Sequence, residues 1–437
     1  MTEHNEFDAN AIPQSKRIAW PRIAAVSAMV SFSLPTFITG LEIGQGLPVS
    51  QALWAILIGS IILTLIGGIM GAIGAKTGLS SYLLVRIAFG NKGAGLVNIA
   101  FAVSLIGWFG VNLDLFSYAV IKLAEAKFAI QLSAWPIEIG AGILMIVTTI
   151  YGFKAINILA TLLVPILAVV TALMAYQAGL QLGVTEYLSL EKTSTLSLDD
   201  GIAAIVGAII IGTIILPDIT RFAKHWKGGV YTAIWAYLII ELIVFLIAGY
   251  ASVAMQQPEI LDLMLALGIG ASAFFIVIGS SWVLNSLNLY STVLSVEATY
   301  KKFKGATLTT VLGAIGVVAA FFNILDFFID FLVFLAAIFV PVAGIIIMDY
   351  LVVNRDRYTA ETLNDNVSVS IPAFIAWLLA CIPSAFALPF SVTQINVLDA
   401  ILLASLSYFI LAKLPALQYT KKQTPLSNTH SIKDSTK

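Results

Sequence analysis

Along this chain, apolar residues gather into twelve long stretches separated by short polar intervals: 22–47, 51–75, 95–121, 134–152, 155–179, 200–223, 229–254, 269–297, 306–323, 328–353, 368–390 and 396–415. Each is close to the roughly 20 residues that a helix needs to cross a bilayer. Leu, Ile, Ala and Val run on within them without alternation, whereas a membrane barrel shows apolar and polar residues taking turns over segments of about 10. The pattern predicts an all-α, polytopic membrane protein with 12 transmembrane helices. Two shorter amphipathic pieces, 76–94 and 257–267, read as interfacial helices able to gate a central site.

Two of the long stretches are interrupted by residues that disfavour helix. Pro35, Gly40 and Gly44 fall in 22–47, and Gly207, Gly212 and Pro217 fall in 200–223. A break at membrane depth frees backbone carbonyls and amides, which is tolerated only where they line a cavity or are buried in protein. The interrupted stretches open two corresponding runs of five, the layout of an inverted repeat whose ligand site lies between its discontinuous helices. The expected organisation is a polar tail (1–21), a first repeat (22–179), a second repeat (200–353), two added helices (368–415) and a second polar tail (416–437).

Composition agrees, and charge adds an orientation. The 437 residues are 59% hydrophobic and 11% charged, against about 25% charged in soluble domains. With a cytoplasmic N-terminus, 20 of the 23 Lys and Arg fall inside and only Lys122, Lys127 and Lys192 outside. That bias predicts cytoplasmic termini in a multi-pass protein of the inner, or plasma, membrane. The start of the chain is polar and lacks a short apolar core, so the first helix is expected to direct insertion. A net charge of −1 with no basic patch gives a nucleic-acid partner no footing. The single cysteine, Cys381, cannot form an intramolecular disulfide. Walker, HExxH, CxxC and nucleophile-elbow sequences are absent, which argues against ATP drive, a metal centre and hydrolysis. The chain reads as no enzyme, with no cofactor, working as a monomer in the bilayer.

Carboxylates and amides inside the apolar stretches are the candidate chemistry, because a charge at membrane depth costs roughly 2.5–3.5 kcal/mol on insertion scales. Glu42 lies with Gly40 in the interrupted first stretch. There it can meet a substrate N–H, hold a coupling proton, or pair with backbone amides at the break. Trp108 and Asn112, four apart, share one face of the third stretch. A flat ring with an amide one turn above it suits a planar heterocycle, although packing and interhelical hydrogen bonding account for the same spacing. Asp114 sits about 120° around that helix from Trp108, as a proton-holding group facing another helix or as a hydrogen-bonded acid near the outer end. Asn285 and Asn288 in the eighth stretch can close the polar side of a site or bridge helices. Glu241, in the seventh, matches no motif and reads as a packing partner.

The runs Ile73-Gly74-Ala75-Lys76-Thr77-Gly78-Leu79, Gly107-Trp108-Phe109-Gly110, Pro217-Asp218-Ile219-Thr220-Arg221-Phe222, and Pro341-Val342-Ala343-Gly344 followed by Asp349-Tyr350 form a distinctive set. Together they resemble the nucleobase:cation symporter family, the purine/cytosine permeases and their hydantoin-carrying relatives. The resemblance spans nearly the whole membrane region and implies a LeuT-like five-plus-five fold, alternating access and a planar heterocycle held near mid-bilayer. It implies a stacking role for Trp108 and places Asn112 where a hydantoin-carrying member has a ligand-binding glutamine. Members supply a second aromatic from the sixth stretch, whereas Gly207-Ala208-Ile209-Ile210-Ile211-Gly212 has none, leaving Ile209 at the ring's other face. Sodium-coupled members bear hydroxyls just after the eighth-stretch tryptophan, where this chain has Val283 and Leu284. Glu42 and Asp114 stand where the cytosine-carrying member has uncharged residues.

The resulting expectation is a proton symporter importing a nucleobase or ureide-like ring such as a purine, a cytosine-like pyrimidine, allantoin or a hydantoin. In it Glu42 takes a proton facing outward, the ring stacks on Trp108 against Asn112, Asn285 or Asn288, and both are released inside. Sodium coupling through backbone carbonyls of the first stretch is the near alternative. A non-transporting sensor on a transporter scaffold is the alternative of another class, disfavoured by the short C-terminal tail. A passive channel would need a polar ring or filter that the sequence lacks.

Overall fold

The computed structural model describes residues 11–151, 153–257, 262, 263, 266, 271–299, 305–322, 327–359, 361–364, 368–385 and 392–414. Its helices are α1 (Trp20–Ser31), α2 (Leu34–Gly46), α3 (Val49–Thr77), α4 (Ser81–Phe89), α5 (Asn91–Phe128), α6 (Ala134–Ile150) and α7 (Phe153–Gln181). After the short α8 (Val184–Leu188) come α9 (Leu198–Ile214), α10 (Pro217–Thr220), α11 (Trp226–Ala233) and α12 (Leu242–Ala254), the last two joined by a π-helical segment, Ile234–Glu241. Then follow α13 (Ala271–Thr299), α14 (Gly305–Ala320), α15 (Phe328–Met348), α16 (Ile371–Ala385) and α17 (Asn396–Lys413).

The first apolar stretch is two half-helices, and the break between α1 and α2 falls at Phe32 and Ser33, earlier than the glycines suggest. Proline has no N–H and a fixed φ, which suits the first turn of a helix better than its interior, so Pro35 starts α2. Gly40 and Gly44 remain helical and serve as contact points. A Cβ on Gly40 would lie 2.8 Å from the Phe245 carbonyl oxygen, and one on Gly44 would strike the Gly249 backbone. Glu42, expected within the break, therefore stands in regular helix about two turns past Pro35. The second interruption obeys the same rule: α9 stops at Ile214 and Pro217 opens the single turn α10. Gly207 and Gly212 are interior to α9, and Gly207 lets its backbone meet that of Leu332 on α15.

Packing joins the two broken units at the centre. α13 runs along α5, α3 packs on both α9 and α11, α2 packs on α12, and α9 packs on α15. α16 and α17 lie against each other and against α15, outside the two runs of five. Seven helices among the described residues are long and apolar enough to cross a membrane, and Ala134–Ile150, Gly305–Ala320 and Ile371–Pro383 are shorter apolar helices. The count of twelve crossings stays an expectation.

Two peripheral pieces differ from their expected roles. α4, expected as an interfacial helix, is buried at every residue but Arg86. It packs on α5, α13, α15 and α16, so its apolar residues face protein on all sides. Most of 257–267, the other expected interfacial piece, lies outside the described residues, as do 1–10 and 415–437. The stretch from Ile12 is a strap. Ile12 N–H donates to Gly78 O (2.9 Å), Arg17 Nη1 donates to Ala75 O (2.5 Å), and Ile18 pairs with the chain after α10 through Phe222 O and Lys224 N–H. It ties the end of α3 to the end of the second broken unit.

Candidate functional site

Between the two breaks lies a cavity with about 880 Å³ of space, its mouth included. α1 and its break contribute Ser27, Val30, Ser33 and Pro35. α9 and its break contribute Ala208, Ile209, Ile211, Gly212 and Ile215, with Asp218 and Ile219 from α10 below them. Trp108 and Leu105 come from α5, Tyr237 from the π segment, and Leu284, Leu287, Asn288 and Ser291 from α13. The cavity is mostly apolar with a few convergent polar groups, the usual make-up of a small-molecule site.

Trp108 is 6% exposed and locked in place by two phenylalanines of α15, Phe331 at 5.3 Å and Phe328 at 6.2 Å between ring centres, both edge-on. Asn288 is 9% exposed and its Nδ2 has no hydrogen-bond partner among the described residues. A buried amide left unpaired costs about 1–3 kcal/mol, so the donor is available to whatever enters. Ile209 is buried on the cavity wall, and with Ala208 and Ile211 it makes that wall aliphatic.

The other sequence candidates do not line the cavity. Asn112 is fully buried but turns back on its own helix, Nδ2 donating to Trp108 O at 2.7 Å. Asn285 ties helices together, its Nδ2 donating to Phe109 O at 3.0 Å. Gly40 abuts Phe245, and Glu42 is half-buried on α2. Asp114 is half-buried on α5, and its carbonyl oxygen accepts from Ser117 Oγ at 2.9 Å. Trp108, Ile209 and Asn288 are thus brought together, and Asn112, Asn285, Gly40, Glu42 and Asp114 are not.

Sequence reasoning missed Ser33, Tyr237, Ser291 and Asp218. For Asp218 there was a signal, since the run Pro217–Phe222 had been singled out for resemblance. Asp218 Oδ1 accepts from both the backbone N–H and the hydroxyl of Ser81 at 2.8 Å, fastening α10 to the start of α4. Burial, and then the neighbouring Asp218, push the Tyr82 phenol well above its ordinary pKa. Arg221 is fully buried beneath, with Nε donating to Asp218 O at 3.1 Å and both terminal nitrogens lacking a protein hydrogen-bond partner. Of these groups Asp218 borders the cavity, making its floor on the side where the strap pairs with the chain after α10.

The chain is similar to known proteins over nearly its whole length. A family model described as "Permease for cytosine/purines, uracil, thiamine, allantoin" matches residues 11–411. The cytosine permease of Escherichia coli (strain K12) is 30% identical over 412 residues, covering 94% of this chain and 95% of that protein. The hydantoin permease of Microbacterium maritypicum is 22% identical over 433 residues, covering 92% of this chain and 86% of that protein. The inward-facing structure of Mhp1 superposes with a TM-score of 0.80 at 18% identity, over 94% of this chain and 95% of that one. A closed conformation of Mhp1 with bromovinylhydantoin bound gives 0.78 at 19% identity, over 94% and 97%. These likenesses show the fold, a LeuT-like transporter architecture.

Proposed function

Because the chain belongs to the family of permeases for cytosine/purines, uracil, thiamine and allantoin, we propose that its central cavity binds a planar heterocycle of nucleobase or ureide type, and that the protein imports it by cation symport. One observation carries the reading: a buried tryptophan ring and a buried amide donor without a partner, Trp108 and Asn288, border one cavity between the two helix breaks. A flat ring stacks on the indole, the Asn288 amide donates to a ring carbonyl or nitrogen, and Ile209 and Ile211 cover the opposite face by dispersion contacts. The bromovinylhydantoin bound by Mhp1 is a ring of this kind. Alternating access follows from the architecture, since two broken units packed about one cavity can open it to one side at a time.

The proposed coupling ion is the proton. A hard cation takes oxygen ligands, and the α13 positions that bear hydroxyls in sodium-coupled relatives are Val283, fully buried, and Leu284, whose side chain faces the cavity. Glu42 and Asp114 do not line the space a ring would occupy, so proton coupling here requires a group other than a direct substrate ligand. Sodium held by backbone carbonyls at the α1–α2 break is the second reading.

The test is thermal stabilisation of the purified protein by nucleobases, hydantoins, allantoin and unrelated amino acids, with and without Na⁺ and at two pH values. A ligand present at 100 times its Kd adds about 2.7 kcal/mol to stability. We expect stabilisation by a planar heterocycle that is insensitive to Na⁺ and changes with pH. Stabilisation that requires Na⁺ would replace the proton, and stabilisation by amino acids alone would overturn the substrate class.

A further inference from the structure

Besides Glu42 and Asp114, the elements packed around the cavity hold a further acid that the site does not use, and this one is fully buried. Glu241 ends the π-helical segment Ile234–Glu241, is fully buried, and has no hydrogen-bond partner among the described residues on either carboxyl oxygen. A structural acid at membrane depth would be paired, because an unpaired buried carboxylate is the costliest arrangement available to it. Leaving both oxygens open is compatible with a stable fold only if the group carries a proton. A π-helical segment is itself uncommon and frequent at functional sites.

The segment's position couples it to the parts that move. It packs on α1, and Ser31, the last residue of α1 before the break, donates its hydroxyl to Ala236 O at 3.0 Å. Four residues beyond Glu241, Phe245 receives Gly40 of α2. Glu241 therefore stands, along the chain, between the contact to α1 and the contact to α2, at the level of the discontinuity in the first unit. One turn before it, Tyr237 lines the cavity and lies within electrostatic reach of Glu241. The Tyr237 hydroxyl also faces Ser27 of α1 and Thr213 of α9. The charged groups on the packed elements are Arg22 near the start of α1, Lys76 in the last turn of α3 and Lys227 at the start of α11; Tyr231 of α11 and Tyr250 near the far end of α12 are the remaining titratable groups.

Resting on the proton-coupled reading above, we infer that Glu241 is the proton-binding group of the transport cycle. It is protonated in the closed state and gives up its proton when movement of α1 past the π segment admits water. The route to the cavity runs along Tyr237 with Ser27 and Thr213. The carrier is thus set behind the wall of the site, so proton and ring are linked through the α1–α2 discontinuity and not by direct contact.

Two arms test it with the full-length protein in liposomes. Infrared difference spectra recorded during a pH titration need no substrate; a protonated-carboxyl C=O band should be present in the wild type and missing in Glu241→Gln. In the second arm, radiolabelled cytosine and hydantoin are the probes. The wild type should concentrate a probe under an inward proton gradient, and Glu241→Gln should lose that accumulation at least tenfold while still exchanging the probe across the membrane without a gradient. Wild-type liposomes that concentrate a probe only with Na⁺ would overturn the coupling reading itself. Accumulation in Glu241→Gln equal to the wild type, or a carboxyl band that survives the substitution, would overturn Glu241 alone. If Glu241→Gln cannot be recovered folded, Glu241→Asp decides: it retains a carboxyl in altered surroundings, so the band should persist at a shifted titration midpoint, and an unmoved midpoint would overturn the assignment.

Discussion

Asn285 and Asn288 are three residues apart on α13, yet their amides meet different surroundings. Asn285 bonds across to the backbone of α5, whereas Asn288 faces the cavity with its Nδ2 unpaired. Asn285→Ala is expected to lower stability by about 1–3 kcal/mol, through the lost bond and the Phe109 carbonyl left behind, with heterocycle affinity unchanged in a thermal-shift titration. Asn288→Ala should do the reverse, weakening affinity by about tenfold, equivalent to ~1.4 kcal/mol, in an otherwise stable protein. Trp108→Ala should abolish stabilisation by any ring while leaving the unliganded melting temperature within a few degrees, and unchanged affinity would remove the indole from the site. Spacing along a helix tells which residues share a face, so the pairing of Trp108 with Asn112 was a fair reading. It does not tell whether an amide on that face turns outward or folds back on the carbonyl four residues earlier, as Asn112 does. That choice depends on neighbouring helices, which no single stretch of sequence contains.

Helix boundaries were far more legible than side-chain directions, because the end of an apolar run is fixed by the bilayer and by proline. Expected 51–75 became Val49–Thr77, and expected 396–415 became Asn396–Lys413. The two discontinuities were also expected in the right stretches, but glycine and proline had been given the same meaning. Proline marks where each second half-helix begins, while the glycines mark where helices touch. Gly44→Val should therefore cost about 1–3 kcal/mol or more by overpacking against Gly249, measured as a loss of folded protein on gentle heating, whereas a contact-free glycine such as Gly140 should tolerate alanine. The loop between α8 and α9 adds a second support to α2. Lys192 donates to Gly44 O (2.5 Å) and Gln45 O (3.0 Å), completing the carbonyls that the end of a helix leaves open. Lys192→Met should lower the melting temperature without changing which ring is bound.

At the scale of the molecule, the cavity floor and the strap belong to one closure. Asp218 fastens α10 to α4, Arg221 lies buried beneath it, and residues 12–18 bind both the end of α3 and the chain after α10. For the two units to part on that side, the strap must let go at one end: either the Ile12 and Arg17 bonds to Gly78 O and Ala75 O break, or the pairing of Ile18 does. Arg17→Ala should shift the population toward the conformation open there. Cysteine introduced at Ile219, in a background lacking Cys381, should then react several times faster with a maleimide supplied from that side; an unchanged rate would show that the strap does not hold the closure. The sequence reads as a polar start to the chain, because the two isoleucines of residues 12–18 stand six apart among polar residues and follow no period. Its order comes from backbone hydrogen bonding to distant partners, which leaves little trace in composition.

A strap of this kind has a practical side. Fluorescent proteins and purification handles are routinely fused ahead of the first helix on the assumption that the attachment point is idle. Under the alternating access proposed above, the attachment would pull on the segment that must detach for the cavity to open on that side. Such a fusion is expected to report a slower or differently biased transporter than the unmodified chain, and the same label placed after Lys413 avoids the interference.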